Sequence, residues 1–165
     1  IYLLQPNASW VILYLNAAGK WCETNGTASS RALPPGQGFW VARHAGTSAR
    51  LTFAGPVGND GSQSVALQPG FNLIGLSEGR DLPLTATLAT ANPQGGAWAE
   101  EADQVVMPNS DGSWRRLMFV INWGPAYDGH WFDFSTWQIV PTNEVIPPGA
   151  AFYYLRRGAA TEVEF

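Results

Sequence analysis

The residues best suited to chemistry lie in one aromatic stretch, residues 123–137. If the chain is a strand from Trp131 onward, Trp131, Asp133 and Trp137 share one face, because successive side chains of a strand point to opposite sides. Two tryptophans beside a carboxylate could stack on sugar rings, and such rings are equally typical of a protein interface or a sheet core. The predicted ligand or interface residues are Trp123, Tyr127, Trp131, Asp133, Ser135 and Trp137.

Acid–base and metal chemistry have weaker candidates in the same stretch. Asp128, His130 and Asp133 lie close together in the sequence. However, the chain contains no His-x-His or His-Glu-x-x-His spacing of the kind that binds transition metals. We therefore expect these three residues to be solvated loop positions, and we predict neither a metal nor another cofactor.

Catalytic motifs are missing elsewhere in the sequence as well. There is no Gly-x-Ser-x-Gly nucleophile motif. Glu100 and Glu101 are adjacent, so their carboxylates diverge on a strand or a helix and do not form the facing pair of a glycosidase. Asn-Asp-Gly at 59–61 and Asn-Ser-Asp-Gly at 109–112 lack the carboxylate ladder of a calcium loop and predict hairpin turns. The sequence favours a protein that is not an enzyme.

The composition excludes several classes of protein. Hydrophobic residues make up 45% of the 165 residues and charged residues 13%, too apolar a mixture for a disordered chain. A net charge of −4 provides no basic field for nucleic acid. No apolar run approaches the roughly 18 residues of a membrane-spanning helix. Eight tryptophans, 18 glycines and 12 prolines are typical of a β-rich, turn-rich protein. The low charge favours an extracellular or cell-surface location.

A few further residues have simple expected roles. Cys22 has no disulfide partner in the chain, and we expect a half-buried strand thiol. The pairs Arg115-Arg116 and Arg156-Arg157 are predicted to be strand-edge charges that discourage unwanted pairing. Asn7 and Asn25 each begin an Asn-x-Ser/Thr pattern for N-glycosylation, a short pattern that often arises by chance.

The elements that must position these residues are marked by an internal repeat. Residues 33–53 and 146–165 both run from an apolar residue through Pro-Pro-Gly into an aromatic strand, a basic-Gly turn and a second strand. Proline fixes φ and glycine tolerates positive φ, so Pro-Pro-Gly predicts a turn. The aromatic residues that follow favour extended backbone. Each copy is therefore predicted to form strand–turn–strand.

The repeat extends upstream into residues 3–10 and 105–114. The second copy has nine more residues than the first between its Trp and its Pro-Pro-Gly, and they fall in the most aromatic part of the chain. We expect function at this irregularity. The sequence alignment matches Asn7 with Asn109, Trp10 with Trp114 and Pro34 with Pro147, which are 102, 104 and 113 positions apart.

The repeat predicts an all-β protein whose antiparallel sheets pack as a sandwich or a barrel-like pair, built from one and a half modules. Residues 1–55 would be the back half of a module, residues 56–63 a connector and residues 64–165 a complete module of about 100 residues. Residues 81–91 fit either a strand or a short helix capped by Asp81. A half-module leaves an open sheet edge. Either the two units share one sheet or another chain supplies the missing strand.

Three elements carry a resemblance to a known kind of module. Pro-Gly-Phe-Asn-Leu-Ile-Gly at 69–75, Ala-Asp-Gln-Val at 102–105 and the Pro-Pro-Gly aromatic element occur in this order. The chain thereby resembles the repeated β-modules of large secreted or surface proteins of environmental bacteria. The resemblance covers most of the chain and implies a β-repeat fold without catalytic residues.

The leading prediction for function is a non-enzymatic extracellular module that associates with itself or docks to other surface proteins. Such a module could be a filament or surface-layer subunit joined by strand donation. The alternative is a carbohydrate-binding module that uses Trp131 with Trp137, or Trp123 with Tyr127, on a polysaccharide. Neither nucleic-acid binding nor membrane insertion is expected.

Overall fold

The computed structural model describes residues 1–43, 63–76, 79–109 and 111–165. Within these ranges the chain forms thirteen strands and one short helix, and every strand pair is antiparallel. The prediction of an all-β fold is thus confirmed. The elements are β1 (Tyr2–Leu4), β2 (Trp10–Leu15), β3 (Trp21–Glu23), β4 (Ser64–Leu67), β5 (Gly70–Gly75), β6 (Leu82–Pro83), α1 (Leu84–Ala89), β7 (Gln104–Pro108), β8 (Trp114–Val120), β9 (His130–Asp133), β10 (Gln138–Ile139), β11 (Val145–Ile146), β12 (Ala151–Arg156) and β13 (Thr161–Glu164).

The largest sheet has six strands in the order β10-β9-β8-β7-β12-β5. Its inner face is marked by a row of side chains across four neighbouring strands, and all of them are buried. A second layer made of β4–β13, β6–β11 and α1 packs against that face, so the fold is sandwich-like. No sheet closes into a barrel among the described strands. The inner row consists of Tyr154, Val105, Leu117 and Asp133.

The central strand β12 follows the Pro-Pro-Gly turn as predicted. Gly149 has φ +71°, and the Ala150 N–H closes the turn on the Pro147 carbonyl at 3.2 Å. The first copy makes the same turn, in which Gly36 has φ +84° and the Gln37 N–H donates to the Pro34 carbonyl at 3.2 Å. A positive φ of this size is what glycine supplies without steric cost. The second strand of this first copy and the predicted turn at 59–61 lie outside the described residues.

Residues 81–91 form a helix rather than a strand over most of their length. In α1 the buried residues are Leu84, Thr87 and Leu88, which are spaced as one face of a helix requires. Pro83, not Asp81, occupies the N-cap position, with no side-chain cap. The alternating leucines therefore reflect helical burial against the sheet, and the strand alternative is wrong.

The two copies of the sequence pattern, in residues 1–55 and 64–165, are called here the first and the second repeat. The first repeat forms the same hairpin as the second. The Gln5 N–H donates to the Ser9 carbonyl at 2.8 Å, and the Asn109 N–H donates to the Ser113 carbonyl at 2.8 Å. Within these turns Asn7 Oδ1 accepts from the Ser9 N–H at 3.1 Å, as Asp111 Oδ1 does from the Ser113 N–H at 2.8 Å. Asn7 is therefore equivalent to Asp111, a separation of 104 positions. The alignment of Asn7 with Asn109 is wrong, because hydrogen bonding rather than the shared Pro-Asn letters sets the register.

The strand pairing beyond the hairpin turn shows where six of the nine extra residues of the second repeat lie. Leu15 pairs with Trp21, and the equivalent Phe119 pairs with Trp131. Leu15 and Phe119 are still 104 positions apart, whereas Trp21 and Trp131 are 110 apart. Six of the extra residues thus lie between Phe119 and Trp131: Val120 and His130 add one further strand pair, and the turn at 121–129 is four residues longer than the turn at 16–20. This turn carries two of the predicted site residues.

The two repeats meet along β5. One edge of β5 pairs with β12, and the other receives Gly36 and Gly38 of the first repeat. The Gly38 N–H donates to the Leu73 carbonyl and the Gly75 N–H to the Gly36 carbonyl, each at 3.0 Å. Two residues later, Trp40 bridges Tyr2 of β1. Strand β5 therefore has a partner on both edges. The division into 1–55, 56–63 and 64–165 stays a prediction.

Candidate functional site

The outer face of the six-stranded sheet is the most distinctive surface of the chain. Directly opposed residues on antiparallel strands share a face, so Tyr153, Val106 and Arg116 form a row on the side away from the core. Aromatic rings gather at both ends of this row. We call the whole surface the aromatic face. It consists of a junction cluster (Trp40, Phe71, Trp114 and Tyr153), Arg116, and a loop cluster (Trp123, Tyr127, Phe132, Phe134 and Trp137).

The junction cluster lies where the two repeats meet. The ring of Trp40 is 5.3 Å from that of Trp114 and 5.9 Å from that of Tyr153, centroid to centroid. The Trp40 indole N–H donates to the Tyr153 hydroxyl at 2.7 Å. Phe71 of β5 contacts Tyr153 edge-on at 6.1 Å. Phe71 and Trp114 remain 52% and 50% exposed, so the cluster is held in place yet open to solvent.

The loop cluster is built by two turns. In the longer turn Trp123 is fixed by its backbone N–H, which donates to Asp128 at 2.8 Å, and by its indole N–H, which donates to the Ala97 carbonyl at 2.9 Å. The shorter turn after β9 places Trp137, at φ +56°, against Phe134 at 5.8 Å. Trp137 is 70% exposed and Tyr127 is 42% exposed.

Arg116 links the two clusters. Its guanidinium lies 5.0 Å from the centroid of the Phe134 ring, within the range of a cation–π contact. Its backbone stands beside Val106 and, through it, Tyr153. Arg116 is exposed, but β8 pairs with β7 on one side and β9 on the other, so the prediction that Arg116 is a strand-edge charge is wrong. Arg116 therefore lies between the two clusters, with Val106 separating it from Tyr153.

The predicted stacking pair of Trp131 and Trp137 is wrong. Strand β9 ends at Asp133, so the alternation of faces stops before Trp137 is reached. Trp131 is 3% exposed and packs edge-on against Tyr154 in the core, at 6.2 Å. Its indole N–H is buried without a hydrogen-bond partner in the described part of the chain. Ser135 is exposed in the turn, where its N–H donates to Asp133 at 2.7 Å.

Asp133 is a structural carboxylate rather than a ligand group. It is 1% exposed, and Arg115 Nε donates to its Oδ2 at 2.6 Å. Burial alone would raise the pKa of Asp133, but hydrogen bonds from Ser135 and from Arg115, together with the arginine charge, outweigh it and hold this pKa below its usual range. Glu144 completes the group by a bidentate pairing with Arg115. The expected roles of Asp133 as a solvated residue and of Arg115 as an edge charge are therefore wrong.

A second buried charge group, around Asp103, was not predicted from the sequence. Asp103 is fully buried and accepts from Arg156 Nη1 at 2.6 Å, from the Tyr154 hydroxyl at 2.9 Å and from the Arg157 N–H at 2.6 Å. Burial and the neighbouring Asp103 charge raise the pKa of Tyr154 far above its usual range. Arg156 also donates to the Asn92 carbonyl at 3.1 Å, so it is not a strand-edge charge. The only sequence signal was an aspartate directly before a strand.

The other candidate residues lie apart from one another. Asp128 and His130 are both exposed, but only Asp128 lies in a turn; His130 is the first residue of β9, so its expected loop position is wrong. His130 and Trp131 border a groove of about 420 Å³ beside α1. Among the described residues, no three or more His, Cys, Asp or Glu side chains are placed to hold a metal ion. The same part of the chain has no helix long and apolar enough to cross a membrane.

Cys22 and the asparagines of the glycosylation pattern differ in burial. Cys22 is 2% exposed in β3, more buried than expected, and its thiol sulfur accepts from the Asn16 amide at 3.3 Å. Asn7 and Asn25 both lie in exposed turns. Neither arrangement connects to the aromatic face.

Compared with protein-family models, curated proteins and solved structures, the chain shows no match. The resemblance to repeated β-modules of bacterial surface proteins therefore stays a prediction. The aromatic face has to be interpreted from its own geometry and chemistry.

Proposed function

We propose that this protein is a non-enzymatic extracellular interaction module, and that its aromatic face binds another protein surface, either a second copy of the chain or another surface protein. The observation that carries the proposal is the set of aromatic rings on the two sides of Arg116, of which Phe71, Trp114, Tyr127 and Trp137 are 52%, 50%, 42% and 70% exposed. Tryptophan, tyrosine and arginine are the side chains that contribute most often to binding hot spots. A soluble monomer rarely exposes so contiguous an apolar surface without using it.

Ring geometry favours a protein partner over a polysaccharide. Sugar rings stack on the flat faces of aromatic side chains, and a long glycan needs several such faces in one plane. In the loop cluster Trp123 and Tyr127 cross at 70°, and Trp137 crosses Phe134 at 72°. Such edge-to-face packing presents a rough surface of edges and faces, which suits interdigitating side chains. Asp133, the expected partner for sugar hydroxyls, is already bound to Arg115.

The polar groups of the face also fit a protein interface. Arg116 provides several donors on a cation–π support, and the Tyr153 hydroxyl is already oriented by the Trp40 indole. A side chain whose rotamer is fixed before binding loses less conformational entropy when a partner arrives. The preordered rings therefore favour binding without large rearrangement.

The proposal is tested by sedimentation velocity and light scattering over a wide concentration range, and by capture of surface proteins on the immobilised chain. The variant Trp137→Ser removes the most exposed ring of the face. The matched control is Trp98→Ser, because Trp98 is 69% exposed but lies outside both clusters. We expect Trp137→Ser to weaken association at least about tenfold and Trp98→Ser to leave it unchanged, as a hot-spot loss of ~1.4 kcal/mol or more implies.

A strict monomer at high concentration that also captures no surface protein would contradict the proposal. Equal effects of Trp137→Ser and Trp98→Ser would contradict the assigned surface. Tryptophan emission during titration with a panel of polysaccharides tests the alternative. A saturable shift that Trp137→Ser abolishes would replace the protein partner with a glycan.

A further inference from the structure

The first repeat is packed as a unit of its own. Its buried residues Ile1, Leu3 and Leu13 form a cluster with half-buried Phe39 and Trp21, separate from the main core around Ile74 and Tyr154. Among the described residues, its three strands pair with one another, and Tyr2 of β1 bridges Trp40 of the same repeat. Folding of this small core therefore does not require that its contact with β5 be made inside the same chain.

The contact with β5 depends on a close approach of two backbones. A β-carbon on Gly38 would lie 2.8 Å from the Ile74 carbonyl carbon and oxygen. A β-carbon on Gly75 would lie 2.9 Å from the Gly38 α-carbon. Both distances are shorter than real side chains tolerate, and the obstructing atoms are backbone. Glycine at these two positions is what allows residues 36–38 to hydrogen-bond to the edge of β5.

The surfaces that meet at this junction are different from each other. One surface is the segment of residues 36–40 of the first repeat, called here the donor segment. The other is the edge of β5, called here the acceptor edge. A contact between two unlike surfaces is heterologous, so repeating it between copies gives an open chain or a ring, the smallest of which is a dimer that exchanges its donor segments reciprocally. An added strand on an exposed sheet edge is also a common mode of protein recognition.

We propose that the segment of residues 36–40 of one copy docks on β5 of the next copy, so that the chains associate head to tail by strand donation. This inference rests on the proposed self-association and names the surface that joins the copies. The hydrogen bonds that residues 36–38 make to β5 inside one chain form in the same way with β5 of a second copy. Exchange then depends on whether chain concentration exceeds the effective concentration of the tethered repeat.

Donation also completes the aromatic face with a ring from the neighbouring copy. Trp40 enters together with the donated segment, and its indole N–H bonds to the Tyr153 hydroxyl of the acceptor. Its ring then covers part of exposed Trp114. The aromatic face and the strand junction are therefore parts of one contact between copies.

The test uses two full-length variants that are defective on opposite sides. Gly38→Val blocks the donor segment, and Gly75→Val blocks the acceptor edge. Each variant alone should be monomeric. A mixture should form a 1:1 complex, because the intact donor of Gly75→Val fits the intact acceptor of Gly38→Val. Its mass by light scattering should be twice the 17.9 kDa of the single chain, since each such pair has one working junction.

The matched control is Gly79→Val, where a β-carbon meets no atom within 4 Å. Gly79→Val should behave as the wild type, both alone and in mixtures with either variant, because it keeps the donor segment and the acceptor edge. Far-ultraviolet circular dichroism checks that each variant is folded. Should a valine variant be unfolded, the milder pair Gly38→Ala and Gly75→Ala introduces the same β-carbon contacts and gives the same test.

Failure of this inference differs from failure of the proposed function. If the wild type associates but the two variants stay monomeric when mixed, strand donation is overturned and association through the aromatic face stands. If neither the wild type nor the mixture associates, strand donation and self-association are both overturned, and capture of surface proteins then decides the proposed function. A 1:1 complex that also forms between Gly79→Val and Gly75→Val at equal strength is expected, because Gly79→Val keeps its acceptor. Complex formation by Gly38→Val with itself would overturn the inference.

Discussion

The two repeats build the same hairpin but bury its side chains to different extents. Tyr14 of β2 is 43% exposed, whereas its equivalent in β8, Met118, is 1% exposed. Trp21 is half-buried, whereas its equivalent Trp131 is 3% exposed. The hairpin is therefore specified by its turn and its hydrogen bonds, and burial is added by segments that the first repeat does not have.

Those additional segments can be identified in the second repeat. Residues 96–102 cross the outer face beside β8, where Gly96 forms a parallel bridge to Val120. Ala102 packs in one buried cluster with Met118 and Phe132, and Trp123 of the longer turn borders it. In the first repeat six fewer residues separate the paired Leu15 and Trp21 than separate Phe119 and Trp131 in the second. The two repeats thus differ in the segments that cover the outer face of the sheet rather than in the geometry of the sheet itself.

The charged groups of the two repeats differ in the same way, and this difference should give the largest effect. Asp103 is fully buried with Arg156, whereas Glu23 of the first repeat pairs with exposed Arg31 at 3.5 Å. Removing one partner of a buried pair leaves an uncompensated charge. We expect Asp103→Ala to lower the free energy of unfolding by about 3–5 kcal/mol, and Glu23→Ala to lower it by at most about 1 kcal/mol.

Urea unfolding followed by intrinsic fluorescence measures both changes. Arg156→Met together with Asp103→Leu serves as the control: it removes both charges but leaves the Tyr154 hydroxyl and the Arg157 N–H without their acceptor, so it should recover only part of the loss. Equal losses for Asp103→Ala and Glu23→Ala would show that the second repeat is not the more deeply packed one.

The equivalent positions in β2 and β8 give an intermediate effect. Met118→Ala removes a buried side chain and should cost about 2–5 kcal/mol. Tyr14→Ala removes a largely solvated ring from the same place in the hairpin and should cost less than about 1 kcal/mol. The two midpoints of urea unfolding can be compared directly. A large loss for Tyr14→Ala in dilute protein would mean that the outer side of β2 is covered in solution.

The all-β fold was predictable because its signals are local. Pro-Pro-Gly specifies the same turn in both copies. The aromatic run after it forms the internal strand β12 in the second copy, whereas in the first copy the predicted strand is wrong and Gln37 and Trp40 make isolated bridges. The short helix α1 was not predictable from the spacing of its leucines, since alternation over a few residues fits a strand as well as one buried helical face. Partner choice along β5 depends on long-range pairing, which sequence spacing does not encode.

The candidate site was predicted in part. Trp123, Tyr127 and Trp137 do lie together, but Phe132 and Phe134 join them while Trp131 turns into the core. The error came from extending the strand past Asp133, where the hydrogen bond from the Ser135 N–H begins a turn. The junction cluster was missed altogether, because its rings come from four separate segments that only the tertiary fold brings together.

The smallest expected effect concerns the matched turns of the two hairpins. Ala8 has φ +60°, and its equivalent Gly112 has φ +83°, where an added β-carbon would meet no atom within 4 Å. The left-handed conformation costs a non-glycine residue about 1–2 kcal/mol. Glycine avoids this cost, but its greater conformational entropy in the unfolded chain offsets about 0.5–1 kcal/mol of the gain. Ala8→Gly should therefore stabilise the protein by a few tenths to about 1 kcal/mol, and Gly112→Ala should destabilise it by a similar amount.

Urea midpoints of the two single variants and of the double variant measure this exchange. Because the turns lie far apart in the sequence and have open surroundings, the two changes should cancel in the double variant. A loss of stability for Ala8→Gly would mean that the two hairpins do not share their turn.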